Sequence, residues 1–261
     1  MISFVGAGPG AADLITVRGA RRLADADVVI WAGSLVPEEL LDHCRGDAER
    51  HDSKTMTLEE VVAVYEGHPD AAIVRLHSGD PSVFSAIAEQ VAWCVAHDHD
   101  FEVVPGVSSM AAAAAVAGCE LTVPGLAQSV VLTRLADRTT SSLGPLESVT
   151  GFAAHGVTMA LFLSAGRPEA LEAQLLDARS AYAKDTPAVV AHRVSWPDER
   201  VVRTTVGALA ETIRHLGISM GAIVLVGDAV GVGAPPRRSH VYASDYEHSF
   251  RTVASSARGD G

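Results

Sequence analysis

Short apolar runs alternate with stretches of helical spacing through the first hundred residues. A brief strand at 2–5 ends in Gly6-Ala7-Gly8-Pro9-Gly10, and a helix follows that Thr16 can cap. Its spacing turns Ala20 and Leu23 inward and Arg18, Arg21 and Arg22 outward. Further strands are predicted at 28–31, 72–76 and 101–104. Helices are predicted at 58–65, where Leu58, Val61, Val62 and Tyr65 share a face, and at 82–96. Strands that alternate with helices need crossover connections, which implies a mainly parallel sheet covered on both faces.

The pattern then restarts. An Ala-rich helix at 110–116 breaks at Gly118, Pro124-Gly125 lies just beyond, and the domain boundary is expected there. Strands follow at 129–133, 157–163, 187–191 and 222–226, with a helix at 168–178. Residues 200–205 alternate as an edge strand does, and Ser195-Trp196-Pro197-Asp198 makes a turn. Residues 139–148 read as a loop, and the Ser/Gly/Ala-rich end from about 253 reads as a disordered tail. The expected fold class is α/β in two domains, 1–118 with a mainly parallel sheet and 119–245 with a mixed sheet. A tail at 246–261 completes the division.

Composition narrows the function. Twenty Lys+Arg against 32 Asp+Glu leave a net charge of −12, which argues against a nucleic-acid partner. Hydrophobic residues make up 48% but aromatics only 5%, so the core must be built from Ala, Val and Leu. Cys44, Cys94 and Cys119 lie far apart without a CxxC pair, which fits a reducing cytosol. No run reaches the roughly 18–20 apolar residues of a membrane span, and no basic segment precedes the apolar start. A soluble, cytoplasmic protein with no membrane partner is expected. The 11 histidines show no metal-ligand spacing, and neither a G-x-S-x-G elbow nor a Gly-Lys-Ser/Thr loop occurs.

Three loops carry candidate chemistry. Gly6-Ala7-Gly8-Pro9-Gly10-Ala11 formally satisfies G-x-G-x-x-G/A, and a nicotinamide dinucleotide site and a plain tight β–α turn both remain open. Pro9 has no N–H to offer a pyrophosphate, and the second strand ends in Ala32-Gly33-Ser34 without a ribose-binding carboxylate. His77-Ser78-Gly79-Asp80-Pro81 ends another strand. Asp80 there can bind a ligand or cap the helix after it, and Asp80 and His77 are the nearest candidates for a catalytic base. Pro105-Gly106-Val107-Ser108-Ser109 ends a third strand, with hydroxyls that can cap a helix or hold a polar ligand. Three such loops at one edge of one sheet favour a binding crevice.

In their order along the chain these motifs resemble the tetrapyrrole (corrin/porphyrin) methyltransferases, a family that uses S-adenosylmethionine. The resemblance also covers Leu14-Ile15-Thr16 and Ala26-Asp27-Val28-Val29. Narrower segments resemble its precorrin-4 C(11)-methyltransferase branch. These include 31–37, 121–124, 128–134, 158–164, Ser195-Trp196-Pro197-Asp198-Glu199 and His248-Ser249-Phe250-Arg251. The resemblance implies the two-domain tetrapyrrole methylase fold with an active cleft between the domains, and a homodimer. S-adenosylmethionine would be the methyl donor and S-adenosylhomocysteine the product. It would lie against Pro9, Gly79, Asp80, Val83, Ser108 and Ser109 from the first domain and Leu163, Val194 and Ala222 from the second. Gly8 and Pro9 would face the substrate, a polycarboxylate tetrapyrrole. Arg18, Lys54, Arg134, Arg193 and Arg203 are the candidate cations for its acid groups, since a guanidinium pairs bidentately with a carboxylate. Methylation of another ring position, as on uroporphyrinogen III or at C-20, stays open beside C-11. A nicotinamide-dependent oxidoreductase and a non-enzymatic binding protein stay open as well.

Overall fold

The computed structural model describes residues 1–135, 144, 146–231, 243–244, 246–247 and 249–251. The expected loop at 139–148 falls mostly outside these residues. The tail from 253 falls wholly outside them, and so does His248.

The first sheet is parallel throughout. Its strands are β1 (Ile2–Gly6), β2 (Val28–Trp31), β3 (Glu49–Asp52), β4 (Ile73–His77) and β5 (Phe101–Val104), in the order β3-β2-β4-β1-β5. Alternating side chains divide between two cores. Val5, Val29, Val74, Leu76 and Val104 pack with Leu23, Leu40 and Leu41, on the side of helix α1 (Val17–Ala24). Ile2, Phe4, Val28, Ile30 and Ile73 pack with Val61, Tyr65 and Cys94, on the side of α2 (Leu58–Gly67) and α3 (Ile87–Ala96). Thr16 caps α1 as expected, its Oγ1 accepting from Gly19 N at 3.1 Å. Thr57 and Glu60 close a capping box on α2.

The helix expected from 82 starts only at Ile87. Asp80 and its neighbours hold residues 81–86 in turns, and Phe84 and Ala86 stand at φ 52° and 51°, which no helix admits. Asp80 therefore caps a turn and not α3. β3 escaped the pattern because Glu49, Arg50, His51 and Asp52 carry no apolar signal. An edge strand with one neighbour does not need one.

The second sheet is mixed. β6 (Val130–Arg134), β7 (Thr158–Phe162), β8 (Pro187–His192), β9 (Arg200–Thr205) and β10 (Ala222–Val226) run in the order β6-β7-β10-β8-β9, and only β6 and β7 pair in parallel. β9 is an edge, as its alternation implied. One face packs against α5 (Val149–Ala153), α6 (Pro168–Leu175) and α7 (Leu209–Leu216). The pattern supplied no element for α5, a single turn. It also passed over α7, although Leu209, Ile213 and Leu216 form a legible stripe.

The other face receives α4 (Ser109–Val116), whose Ala112 and Ala113 lie on Ala160, Val189, Ala191, Ile223 and Leu225. Small side chains let this helix lie close on the sheet. By packing, α4 goes with the second sheet although it precedes the boundary expected at 118. Arg203 fastens it, donating from Nη1 to Val230 O at 3.1 Å and from Nη2 to Ala117 O.

The loops after β1, β4 and β5 meet at the carboxyl end of the first sheet. A Cβ on Gly6 would lie 2.5 Å from Gly106 Cα and 2.8 Å from Gly79 O, and one on Gly106 would lie 2.7 Å from Gly6 Cα. Backbone has nowhere to yield there. Gly106→Ala is expected to lower unfolding stability by about 3 kcal/mol or more, read as a shifted urea midpoint. Gly67→Ala, at the last position of α2 with nothing within 4 Å, is expected to be neutral or to gain up to about 1 kcal/mol.

Candidate active site

The first two loops are stitched together by backbone. Gly79 N donates to Gly8 O at 2.8 Å, Gly8 N to Gly79 O at 3.2 Å, and Ala7 N to His77 O at 2.8 Å. Gly8 and Gly79 take φ of +81° and +67°, which glycine adopts without strain. The Asp80 carboxylate adds the third loop. Its Oδ2 accepts from Gly106 N at 2.8 Å, while its Oδ1 accepts from Ser82 N at 2.8 Å and from the Ser82 hydroxyl. Burial pushes the Asp80 carboxyl up, but these donors outweigh it and hold it below the usual carboxylate range.

The second sheet reaches this platform through the turn after β8. Trp196 Nε1 donates to Pro9 O at 3.0 Å, and Ala11 N donates to Ser195 Oγ at 2.9 Å. The indole lies over Gly10, where a Cβ would stand 2.6 Å from Nε1. Arg193 braces the indole. Its guanidinium sits 4.0 Å above the Trp196 ring and its Nε donates to Asp198 Oδ1 at 2.6 Å. A ring contact of 5.1 Å between Phe84 and Phe162 makes a second bridge between the sheets.

Backbone strain concentrates here. Among the described residues six non-glycine side chains have positive φ, and five of them are Phe84, Ala86, Leu163, Arg193 and Ser195 on these loops. Such conformations cost roughly 1–3 kcal/mol each and persist where the surroundings over-determine them.

The expected site residues separate into groups. Gly8, Pro9, Gly79, Asp80, Ser108 and Ser109 converge, with Ser109 N lying 3.6 Å from where a Gly79 Cβ would be. Ser108 also caps α4, accepting from Met110 N at 3.3 Å. Val83 is half-buried in the turn after Asp80. Leu163 directly follows β7 and is 72% exposed. The side chains of Val194 and Ala222 belong to the cores on opposite faces of the second sheet.

Two catalytic expectations are corrected. Asp80 has both oxygens engaged in loop contacts and a lowered pKa, which makes it a strut and a poor proton acceptor. His77 is 6% exposed, packs 6.0 Å from Phe4 on the α2 and α3 side, and has its Nε2 enclosed without a partner. Burial, with the Arg75 charge beside it, pushes its pKa down to about 3, against a smaller opposing pull from the Ser85 backbone. Such an imidazole neither meets a ligand nor takes up a proton at neutral pH.

The expected cations also differ in availability. Arg193 and Arg203 are engaged in the contacts above. Lys54 pairs with Asp52 at 2.9 Å, at the carboxyl end of β3. Asp52 itself is held down to about 2, chiefly by the Gly33 amide and then by Lys54. Arg18 is exposed in the first turn of α1, and Arg134 closes β6. Trp196 and Ser195, legible in the sequence as a turn and as part of a segment resembling the branch, join the two sheets. The rarity of tryptophan in this chain was the available signal.

A pyrophosphate cradle is excluded by the same contacts. The amides of Gly8 and Ala11 are spent on Gly79 and Ser195, Pro9 has none, and Trp196 covers Gly10. No group of three or more potential metal ligands exists among the described residues. No described helix is long and apolar enough to cross a membrane.

The sequence profile of the tetrapyrrole (corrin/porphyrin) methylases matches residues 1–210. The chain belongs to the tetrapyrrole methylase family. A precorrin-4 C(11)-methyltransferase from Rhodococcus erythropolis is 41% identical over 95% of this chain and 98% of the relative. The solved structure of a cobalt precorrin-4 methyltransferase superposes with a TM-score of 0.84 at 41% identity, covering 88% of this chain and 95% of that one. A uroporphyrin-III C-methyltransferase from Thermus thermophilus, solved with S-adenosylhomocysteine, gives a TM-score of 0.72 at 29% identity, covering 88% and 93%. The tetrapyrrole methylase fold therefore extends over both sheets of this chain.

Asp80→Ala leaves three donors without their acceptor. It is expected to cost about 1.5–3 kcal/mol at pH 7, read from urea midpoints. A carboxyl held below its unfolded pKa stabilises above that value and loses its contribution as pH falls through the folded value. The gap between parent and variant should therefore close on acidification below the ordinary 3.8.

Proposed function

We propose that this tetrapyrrole methylase transfers a methyl group from S-adenosylmethionine to C-11 of precorrin-4, or of its cobalt-containing form, during corrin ring synthesis. The observation that carries this reading is the 41% identity to C-11 enzymes over almost the whole chain, matched by the structural agreement with a cobalt precorrin-4 methyltransferase. The lower identity to the uroporphyrin-III enzyme makes another ring position the second reading.

The loops fit the methyl donor. Ser108 and Ser109 are half-buried, and Leu163 is exposed although large and hydrophobic, which leaves polar and apolar surface for a ligand. In the proposal Pro9, Gly79, Asp80, Val83, Ser108 and Ser109 hold the donor from the first sheet. Leu163 and the backbones of Val194 and Ala222 hold it from the second. When bound, S-adenosylmethionine supplies a methyl already activated on a sulfonium. The protein then has to orient the two reactants within about 3–3.5 Å and exclude water. Asp80 fixes the loops, and the Trp196 contact holds the two sides at one spacing. Gly8 and Pro9 face the tetrapyrrole, with Arg18, Lys54 and Arg134 as the candidate cations for its carboxylates. A cytoplasmic homodimer completes the proposal. Val95, Phe101 and Val103, exposed around the unpaired β5 edge, are surface such a dimer can cover.

Titration calorimetry with S-adenosylhomocysteine and separately with NADH tests the reading. The first is expected to bind and the second not, and the reverse result overturns the proposal. Asp80→Ala should weaken S-adenosylhomocysteine binding about tenfold or more, some 1.4 kcal/mol. Precorrin-4 incubated with carbon-13 methyl-labelled donor should carry the label at C-11 by NMR.

A further inference from the structure

The loops after β2 and β3 leave the first sheet at the same end as the platform, because all five strands are parallel, and the donor cradle leaves both unused. Asp52 joins them. Its Oδ1 accepts from Gly33 N at 2.9 Å and from Lys54 N at 3.0 Å, and its Oδ2 meets Lys54 Nζ at 2.9 Å. A Cβ on Gly33 would lie 2.8 Å from that Oδ2, so the loop after β2 rests directly on the carboxylate. Ser53, between Asp52 and Lys54, is fixed as well. It donates to Trp31 O at 3.0 Å and accepts from Arg75 Nη1 at 2.9 Å.

This clasp is more than loop closure requires. Oδ1 alone ties the two loops through their amides; Oδ2 adds the Lys54 ammonium, whose side chain is 58% exposed. An exposed ion pair of this kind contributes little to stability. It does hold a four-carbon stem, otherwise free to rotate, in one direction. One contact to a carboxylate leaves two of the three ammonium N–H groups for a further acceptor. The chain also uses lysine sparingly: among 20 Lys+Arg only Lys54 and Lys184 are lysines. Lys184 precedes Pro187, where β8 starts, and so lies at the end of that strand away from the Trp196 turn.

We propose that Asp52 is a positioning residue for the substrate: it aims the Lys54 ammonium at a peripheral carboxylate of the tetrapyrrole. The identity of that ligand rests on the function proposed above. The placement suits a ligand wider than the methyl donor. In the order β3-β2-β4-β1 the end of β3 lies two strand spacings from that of β4 and three from that of β1, about 10 and 14 Å. A macrocycle seated against Gly8 and Pro9 carries its acid arms at its rim, and an arm directed toward β3 meets Lys54 at the exposed surface. Because Asp52 has already set the stem, capture of the arm does not have to order it. A contact made equally before and during transfer lowers KM and leaves kcat alone.

A double-mutant cycle tests this, with KM for precorrin-4, kcat and S-adenosylhomocysteine affinity measured for the parent, Asp52→Asn, Lys54→Gln and the double variant. Asp52→Asn keeps an oxygen for the two amides and loses the charge. Each single variant is expected to raise KM about tenfold, with kcat and S-adenosylhomocysteine affinity unchanged, and the double variant to raise it no further. An Asp52→Asn effect that persists at full size beside Lys54→Gln is the mark of a merely structural role and overturns the proposal. So does an unchanged KM in Lys54→Gln. Contact is read by NMR of the parent labelled with carbon-13 lysine, where Lys184 is the internal reference. Uroporphyrin is expected to shift the Lys54 Cε signal and not that of Lys184, while sodium acetate at matched carboxylate concentration shifts neither. A Lys54 signal that stays in place, or that acetate moves equally, overturns the substrate contact. Protein that binds S-adenosylhomocysteine but does not methylate precorrin-4 overturns the C-11 reading instead, and the lysine signals then decide the contact. If Asp52→Asn does not fold, Lys54→Gln and the titration of the parent decide.

Discussion

Gly6, Gly79 and Gly106 come from three strands, yet their backbones meet with no room for a carbon atom between them. The contact is possible because β1 lies between β4 and β5 with the strands parallel, so that all three loops leave the sheet at one end. Close approach brings amides and carbonyls of different loops within hydrogen-bonding range, and the Gly8–Gly79 pair and the Asp80 carboxylate use it. Remove the closeness and Asp80 cannot span from Ser82 to Gly106. The floor of the cleft would then be three independent loops.

A second constraint sets where the other sheet stands. Trp196 lies against Gly10, where no side chain intervenes, and donates to the carbonyl of Pro9, a residue without an N–H of its own. Pro9, which weakened the dinucleotide reading, supplies the carbonyl that the indole meets, and Gly10 beside it leaves the indole room. Arg193 is spent on bracing that indole, which removes it from the cations free to meet a substrate. The net charge of −12 is a sum over the whole chain and does not fix the sign of any one face.

Asp80 and His77 show why proximity in sequence is a poor guide to catalytic role. His77 ends β4 and Asp80 stands three residues further on. The Asp80 carboxylate is saturated with donors, and the His77 imidazole is enclosed and kept uncharged by burial first and by the neighbouring guanidinium second. Transfer of a methyl group from a sulfonium asks the protein mainly for position, and a rigid platform supplies position without a strong base.

Much of the architecture was legible in the order of residues. Apolar runs bounded by glycine and proline marked the central strands, Thr16 marked its cap, and the three loop motifs marked the platform, because burial and capping act over a few neighbouring residues. Polar β3 was not legible, since its place at an edge depends on β2 and not on its own side chains. The turns at 81–86 hid behind helical composition because Asp80 draws its partners from Gly106, 26 residues away. The allegiance of α4 to the second sheet, the Trp196 bridge and the Asp52 link to Gly33 were equally hidden. Each is a relation between segments far apart in the chain, and folding alone brings such segments to the few ångströms at which packing and hydrogen bonds act.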